Sequence, residues 1–114
     1  ALAVAVGTAH GRYKQAPVLQ IERIKAIKDE VKIPLVLHGG SGIPDDQVKA
    51  AIKAGVRKMN IGTDVCCAFA EGAKAELDNP DRSLAIDLFM KPSIESVKQL
   101  ALNKIALTGA LGRA

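Results

Sequence analysis

The stretch PLVLHGGSGIPDDQVKAAIKAGVRKMNIGTD, Pro34 to Asp64, decides the fold. Leu35 to Leu37 is a short continuous apolar run, as expected of a strand buried on both faces, and it ends in His-Gly-Gly-Ser-Gly. Pro44, Asp45 and Asp46 make an acidic opening turn. Val48, Ala51 and Ile52 form an apolar stripe at helical spacing, and Gly55 stands where a left-handed helix cap is expected. Val56 to Ile61 reads as the next strand and runs into Asn-Ile-Gly-Thr-Asp. Strand, helix and strand joined by short connections predict a parallel pair with a right-handed crossover.

The same grammar extends outward in both directions. Upstream, Ala3 to Val6 is a strand ending in Gly-Thr-Ala-His-Gly, Gly7 to Gly11. A polar loop from Arg12 to Pro17 follows, and Ile21, Ile24, Ile27 and Val31 then place an amphipathic helix over Val18 to Val31. Downstream, Thr63 or Asp64 can cap a helix to about Leu77, with Val65, Ala68, Phe69 and Ala75 inward. Asn79, Pro80 and Asp81 break the pattern, and the type of the apolar piece Ser83 to Met90 stays open. Pro92 opens a final helix to about Leu107, with Ile94, Val97, Leu100, Ala101 and Ile105 on one side.

The expectation is an α/β fold with three parallel strands, crossover helices and a terminal helix, within one domain over residues 1–114. Three strands leave two open edges and an uncovered face. A complete (β/α)8 TIM barrel takes about 250 residues, so the chain reads as the C-terminal part of one. On its own it is expected to pair with other chains or aggregate.

Composition narrows the function classes. The formal charge is +4, and most Lys and Arg residues alternate with Asp and Glu at helical spacing, as in KAIKDEVK, which reads as solvated helix faces. With no Trp, one Tyr and two Phe, the chain lacks a base-stacking platform, so no nucleic-acid partner is expected. It opens at Ala1 inside an apolar run, and neither a signal peptide nor a membrane span is read there. Cys66 and Cys67 are adjacent in a helix, where their side chains diverge, and are expected to be reduced, packed thiols of a cytoplasmic protein.

Three strand ends rich in glycine and polar residues converge on one face, where parallel α/β folds build their sites. His10 and His38 each close a strand. Neighbouring parallel strands lie about 4.8 Å apart, so two such imidazoles can share a metal ion. Taken singly, each is more simply a hydrogen-bonded polar residue, and two ligands make an incomplete site. The His-Gly-Gly-Ser-Gly loop can present successive N–H groups as an anion nest at a helix N-terminus, with the Ser41 hydroxyl as a further donor; a tight turn needs the same glycines. Asn60 and Thr63 offer hydrogen bonds to phosphate or hydroxyl groups, while Thr63 and Asp64 serve equally as plain caps. Together these residues suit a metal and a phosphorylated substrate side by side.

GTAHGRYK, the Pro34 to Asp64 stretch and the closing helix resemble the C-terminal part of class II, zinc-dependent ketose-bisphosphate aldolases, over nearly the whole chain. The resemblance implies reversible aldol cleavage of a ketose bisphosphate, by default fructose 1,6-bisphosphate, to dihydroxyacetone phosphate and an aldehyde. It implies His10 and His38 as zinc ligands, with a monovalent cation as a candidate second ion. Gly11, Lys14, Gly39, Ser41, Asn60 and Thr63 would hold or cover the substrate phosphate. A third zinc histidine and an acid/base aspartate come from earlier strand ends in the family and have no counterpart here. The implied partners are a small sugar phosphate and further copies of the full-length protein, as a homodimer or homotetramer, with no membrane.

Two departures concern specificity. Gly62 stands where fructose-bisphosphate members commonly carry Asp and tagatose-type members a small residue. Asp87 stands where the family usually has an arginine that reaches a neighbouring subunit's site for the distal phosphate, with Arg82 a candidate substitute. Tagatose bisphosphate, or a ketose 1-phosphate with an unphosphorylated aldehyde half, is therefore the alternative substrate. A non-catalytic phosphate-binding module and an inactive truncated piece are the readings from other classes.

Overall fold

Two short crossovers order the sheet. In the computed structural model, which describes every residue except His10, Arg12 and Ala114, β1 is Leu2–Ala3, β2 is Leu35–Leu37 and β3 is Val56–Met59. They pair in parallel in the order β1-β2-β3. Helix α1, Ile21–Glu30, joins the first pair, and α2, Asp45–Lys53, joins the second. Leu35 and Leu37 of β2 enter a core with Val6, Leu19, Ile24, Ile43, Val48, Ala51 and Val56, while Val36 is buried outside that cluster. The apolar run of β2 is thus covered on both faces, as read.

The end of β1 and the start of α1 differ from the sequence expectation because tertiary hydrogen bonds claim the backbone first. The first strand was expected over Ala3 to Val6 and ends at Ala3. The Val6 carbonyl accepts the Gln20 N–H at 2.9 Å, and Gly7, at φ 102°, turns the chain so tightly that a Cβ there would lie 2.4 Å from the Val18 carbonyl oxygen. The first helix begins at Ile21 instead of Val18. Gln47 of α2 accepts the Leu19 N–H (2.6 Å) and donates to the Pro17 carbonyl (3.0 Å), so one carboxamide holds residues 17–19 outside the helix. Gly55 closes α2 as expected, at φ 120° with its N–H on the Ile52 carbonyl.

β3 stops at Met59, short of the expected Ile61, and α3 runs over Thr63–Asp78. Its cap position is Gly62, and neither Thr63 nor Asp64 makes a side-chain cap. The undecided segment holds one helical turn, α4, Ile86–Phe89, before α5, Lys91–Leu107. Helices α3 and α5 meet at Gly72, where a Cβ would lie 2.5 Å from Ser93 Cα and 2.6 Å from its nitrogen.

The two helices bury little beyond this seam. Val65, Phe69 and Ala75, expected inward, are exposed, as are Ile94, Ala101 and Ile105 from the apolar side of α5, and Cys66 is exposed instead of packed. The cause is the architecture: α3 and α5 cover each other but project from the sheet, giving a radius of gyration of 17.0 Å and extents of 57 × 35 × 21 Å. A compact domain of about 100 residues has a radius near 13 Å. Among the described residues no helix is long and apolar enough to cross a membrane.

The α3–α5 seam is testable by two opposed substitutions. Gly72→Ala gains about 1 kcal/mol of helix propensity but sets a methyl against Ser93 backbone that cannot rotate away, so net destabilisation of about 1–2 kcal/mol is expected. Ser93 Oγ is buried without a hydrogen-bond partner among the described residues, and Ser93→Ala should raise stability by about 1 kcal/mol. Thermal unfolding of both variants checks the pair; an unchanged midpoint for Gly72→Ala contradicts the packing.

Candidate active site

The ladder between β2 and β3 continues past both strands and builds the site. The Asn60 N–H donates to the Leu37 carbonyl at 2.9 Å, and the Asn60 carbonyl accepts the Gly40 N–H at 2.9 Å. His38 and Asn60 are thereby held side by side. The two glycines after His38 make this possible from opposite sides. A Cβ on Gly39, at φ 62°, would lie 2.3 Å from the Ala9 carbonyl oxygen, and one on Gly40 would lie 2.5 Å from Met59 Cγ and 2.8 Å from the Asn60 oxygen.

This revises the anion-nest expectation. The Gly40 N–H is spent on Asn60, so the loop does not offer all its amides to a ligand, and the glycine pair serves close backbone approach. The helix terminus at the pocket also changes. It is that of α3, through Gly62 and Thr63, whereas α2 opens on Pro44 with Asp45 and Asp46, which disfavour an anion.

A cavity of about 330 Å³ is lined by Ala9, Gly11, His38, Gly39, Ser41, Asn60, Ile61, Gly62 and Thr63. Five of the six expected phosphate contacts therefore share one pocket with His38. Lys14 lines an adjoining cavity of about 480 Å³, which shares Gly11, Ser41 and Thr63 with the first. Arg82 and Asp87 line neither, and the Arg82 guanidinium rests on the Asn79 carbonyl at 3.4 Å. The expectation for His10 lies outside the described residues.

Hydrogen bonds define what the side chains can offer. Ser41, 5% exposed, accepts the Asp64 N–H on Oγ at 3.0 Å, which leaves its own proton to donate. Asn60 Oδ1 takes the Lys58 ammonium, so its Nδ2, a donor only, faces His38 Nδ1 at 3.2 Å. As acceptor from Nδ2, that nitrogen carries no proton. Among the described residues no group of three or more His, Cys, Asp or Glu could hold a metal. His38 is a single imidazole donor, which by itself is not a zinc site.

Tyr13 went unread as a functional residue. Its hydroxyl accepts the Ala9 N–H at 2.8 Å and lies 2.8 Å from the Ala9 carbonyl and 3.2 Å from the Gly39 carbonyl, either of which takes its proton. Its ring lies against Gly42, where a Cβ would come within 3.3 Å. One phenol therefore ties the loop before His10 to the loop after His38. The only signal was a lone aromatic beside Gly11 in a chain with one Tyr.

A third cavity, about 560 Å³, adjoins the His38 pocket at Ile61, which lines both. It runs beside β3 and α5, along Val56, Met59, Ile61, Val65, Val97, Leu100 and Ile105, and is mainly apolar.

Residues 1–113 match the family described as fructose-bisphosphate aldolase class-II. The chain belongs to that family. Among solved structures, the YdjI aldolase from Escherichia coli K12 is 40% identical with a TM-score of 0.82, over 98% of this chain and 40% of that one. Fructose-bisphosphate aldolase from Campylobacter jejuni is 28% identical with a TM-score of 0.71, over 94% of this chain and 39% of that one. A putative fructose-1,6-bisphosphate aldolase from Coccidioides immitis, 21% identical with a TM-score of 0.76 over 97% of this chain and 38% of that one, shares the fold. This aldolase-family chain thus spans about 40% of the length of the solved aldolases it matches.

Proposed function

We propose that this chain supplies the C-terminal part of a (β/α)8 barrel in a class II aldolase, and with it the phosphate half of the active site. The substrate is a ketose bisphosphate, by default fructose 1,6-bisphosphate, cleaved to dihydroxyacetone phosphate and an aldehyde. The observation that carries the reading is one pocket that unites His38 with Gly11, Gly39, Ser41, Asn60 and Thr63 in an aldolase-family chain.

Each residue has a task that its geometry suits. Ser41 and Thr63 donate hydroxyl protons to a phosphate oxygen, and the N-terminus of α3 favours its negative charge. Lys14, beside the shared wall, covers the phosphate from the adjoining cavity. His38, with His10, would supply two imidazoles to a zinc ion, whose Lewis acidity polarises the substrate carbonyl when it is bound. Asn60, whose amide lies 3.2 Å from His38 Nδ1, would orient that imidazole beside the substrate. Among the described residues no carboxylate lines the pocket, so the acid/base group is expected from outside them, and the chain alone should not turn over. In the full-length aldolase, a chelator should abolish cleavage and added zinc restore it. Turnover that survives chelation contradicts the zinc reading, and phosphate binding without any cleavage favours a binding module.

Specificity turns on Gly62. Its φ is −133°, and an added Cβ would meet nothing within 4 Å, so packing does not demand glycine there. The open wall is consistent with the alternative of a tagatose-type or 1-phosphate substrate; Asp87, in place of an arginine, would favour the 1-phosphate, although neither it nor Arg82 lines the cavities described. Gly62→Asp should leave the melting point nearly unchanged and shift the kcat/KM ratio of fructose to tagatose bisphosphate toward fructose by roughly tenfold. An unchanged ratio removes Gly62 from the specificity account.

A further inference from the structure

Asp64 opens α3 beside the pocket and faces two ways. Its backbone N–H donates to Ser41 Oγ at 3.0 Å, and its carboxylate meets Lys104 Nζ of α5 at 3.1 Å. The Lys104 and Asp64 side chains are only 17% and 25% exposed, whereas the ion pairs Lys25–Glu22, Lys74–Asp78 and Lys98–Glu95 lie within single helices and are more than half exposed. Water and salt therefore screen the Lys104–Asp64 pair least.

A carboxylate in this place works against an anion. Asp64 lines the cavity that shares Ser41 and Thr63 with the pocket holding His38 and Asn60, so its bare charge would act across that common wall. Lys104 lines neither of these cavities; it borders the apolar cavity beside β3 and α5. Whatever it does for the pocket runs through Asp64.

We propose that Lys104 is a positioning residue for the phosphate site: it cancels the Asp64 charge and fixes the first turn of α3 against Ser41. The inference rests on the phosphate reading of the pocket. It gives α5, which contributes nothing to the pocket wall, a defined part in anion affinity.

The test is calorimetric titration of the full-length aldolase with inorganic phosphate in the presence of chelator, with thermal unfolding of each variant alongside. Lys104→Met should bind phosphate on the order of tenfold more weakly, the scale of one uncompensated charge near a partly solvated anion. Lys104→Arg should bind like the wild type. The double variant Lys104→Met with Asp64→Asn, which has no charge left to cancel, should regain most of the loss. Wild-type affinity in Lys104→Met, or a double variant as weak as Lys104→Met, overturns the role of Lys104. A wild type that binds no phosphate overturns the phosphate reading beneath it.

Discussion

The Asn60 backbone, held between the Leu37 carbonyl and the Gly40 N–H, is the constraint on which the site depends. It extends the parallel pairing of β2 and β3 beyond the strands and sets His38 beside Asn60 at the same level of the sheet. Steric closeness enforces it, because nothing larger than glycine fits between Met59 and the loop at position 40. Tyr13 does the equivalent work on the other side, joining Ala9 to Gly39. Three loops are thus bound edge to edge, two by main-chain hydrogen bonds through Asn60 and two through the Tyr13 hydroxyl.

The remaining structure divides into a packed part and an open one. β2, β3, α1 and α2 share a core around Ile24, Leu35, Leu37 and Val48, joined by Val6 from the segment after β1. Helices α3 and α5 leave Phe69, Ile94, Leu102 and Ile105 exposed beside an apolar cavity. Exposed apolar surface of this kind marks a contact surface, in line with a chain that covers about 40% of its solved relatives. The polar pocket and the apolar cavity share Ile61 and otherwise have separate linings, so site formation and completion of the fold use largely separate surfaces.

The elements that local pattern governs were legible in the sequence. β2 follows its apolar run and α2 its stripe and Gly55 cap, and the loops after β2 and β3 bring Gly39, Ser41, Asn60 and Thr63 to one pocket. Long-range polar contacts governed the rest. No local signal says that Gln47 will hold Leu19 out of α1, that Asp64 will pair with Lys104 forty residues on instead of capping α3, or that the Gly40 amide is taken by Asn60. The stripes on α3 and α5 show which side is apolar, and the structure leaves much of that side open because these helices project from the sheet.

Substitution at Gly40 separates this account from one in which the loops act independently. The measurement is calorimetric affinity of the full-length Gly40→Ala protein for inorganic phosphate and, separately, for zinc, with far-UV circular dichroism to establish folding. A methyl that must displace Met59 or Asn60 costs about 1–3 kcal/mol, so both affinities should fall together by about tenfold or more while the fold persists. Folded Gly40→Ala protein that binds both ligands like the wild type would contradict the account.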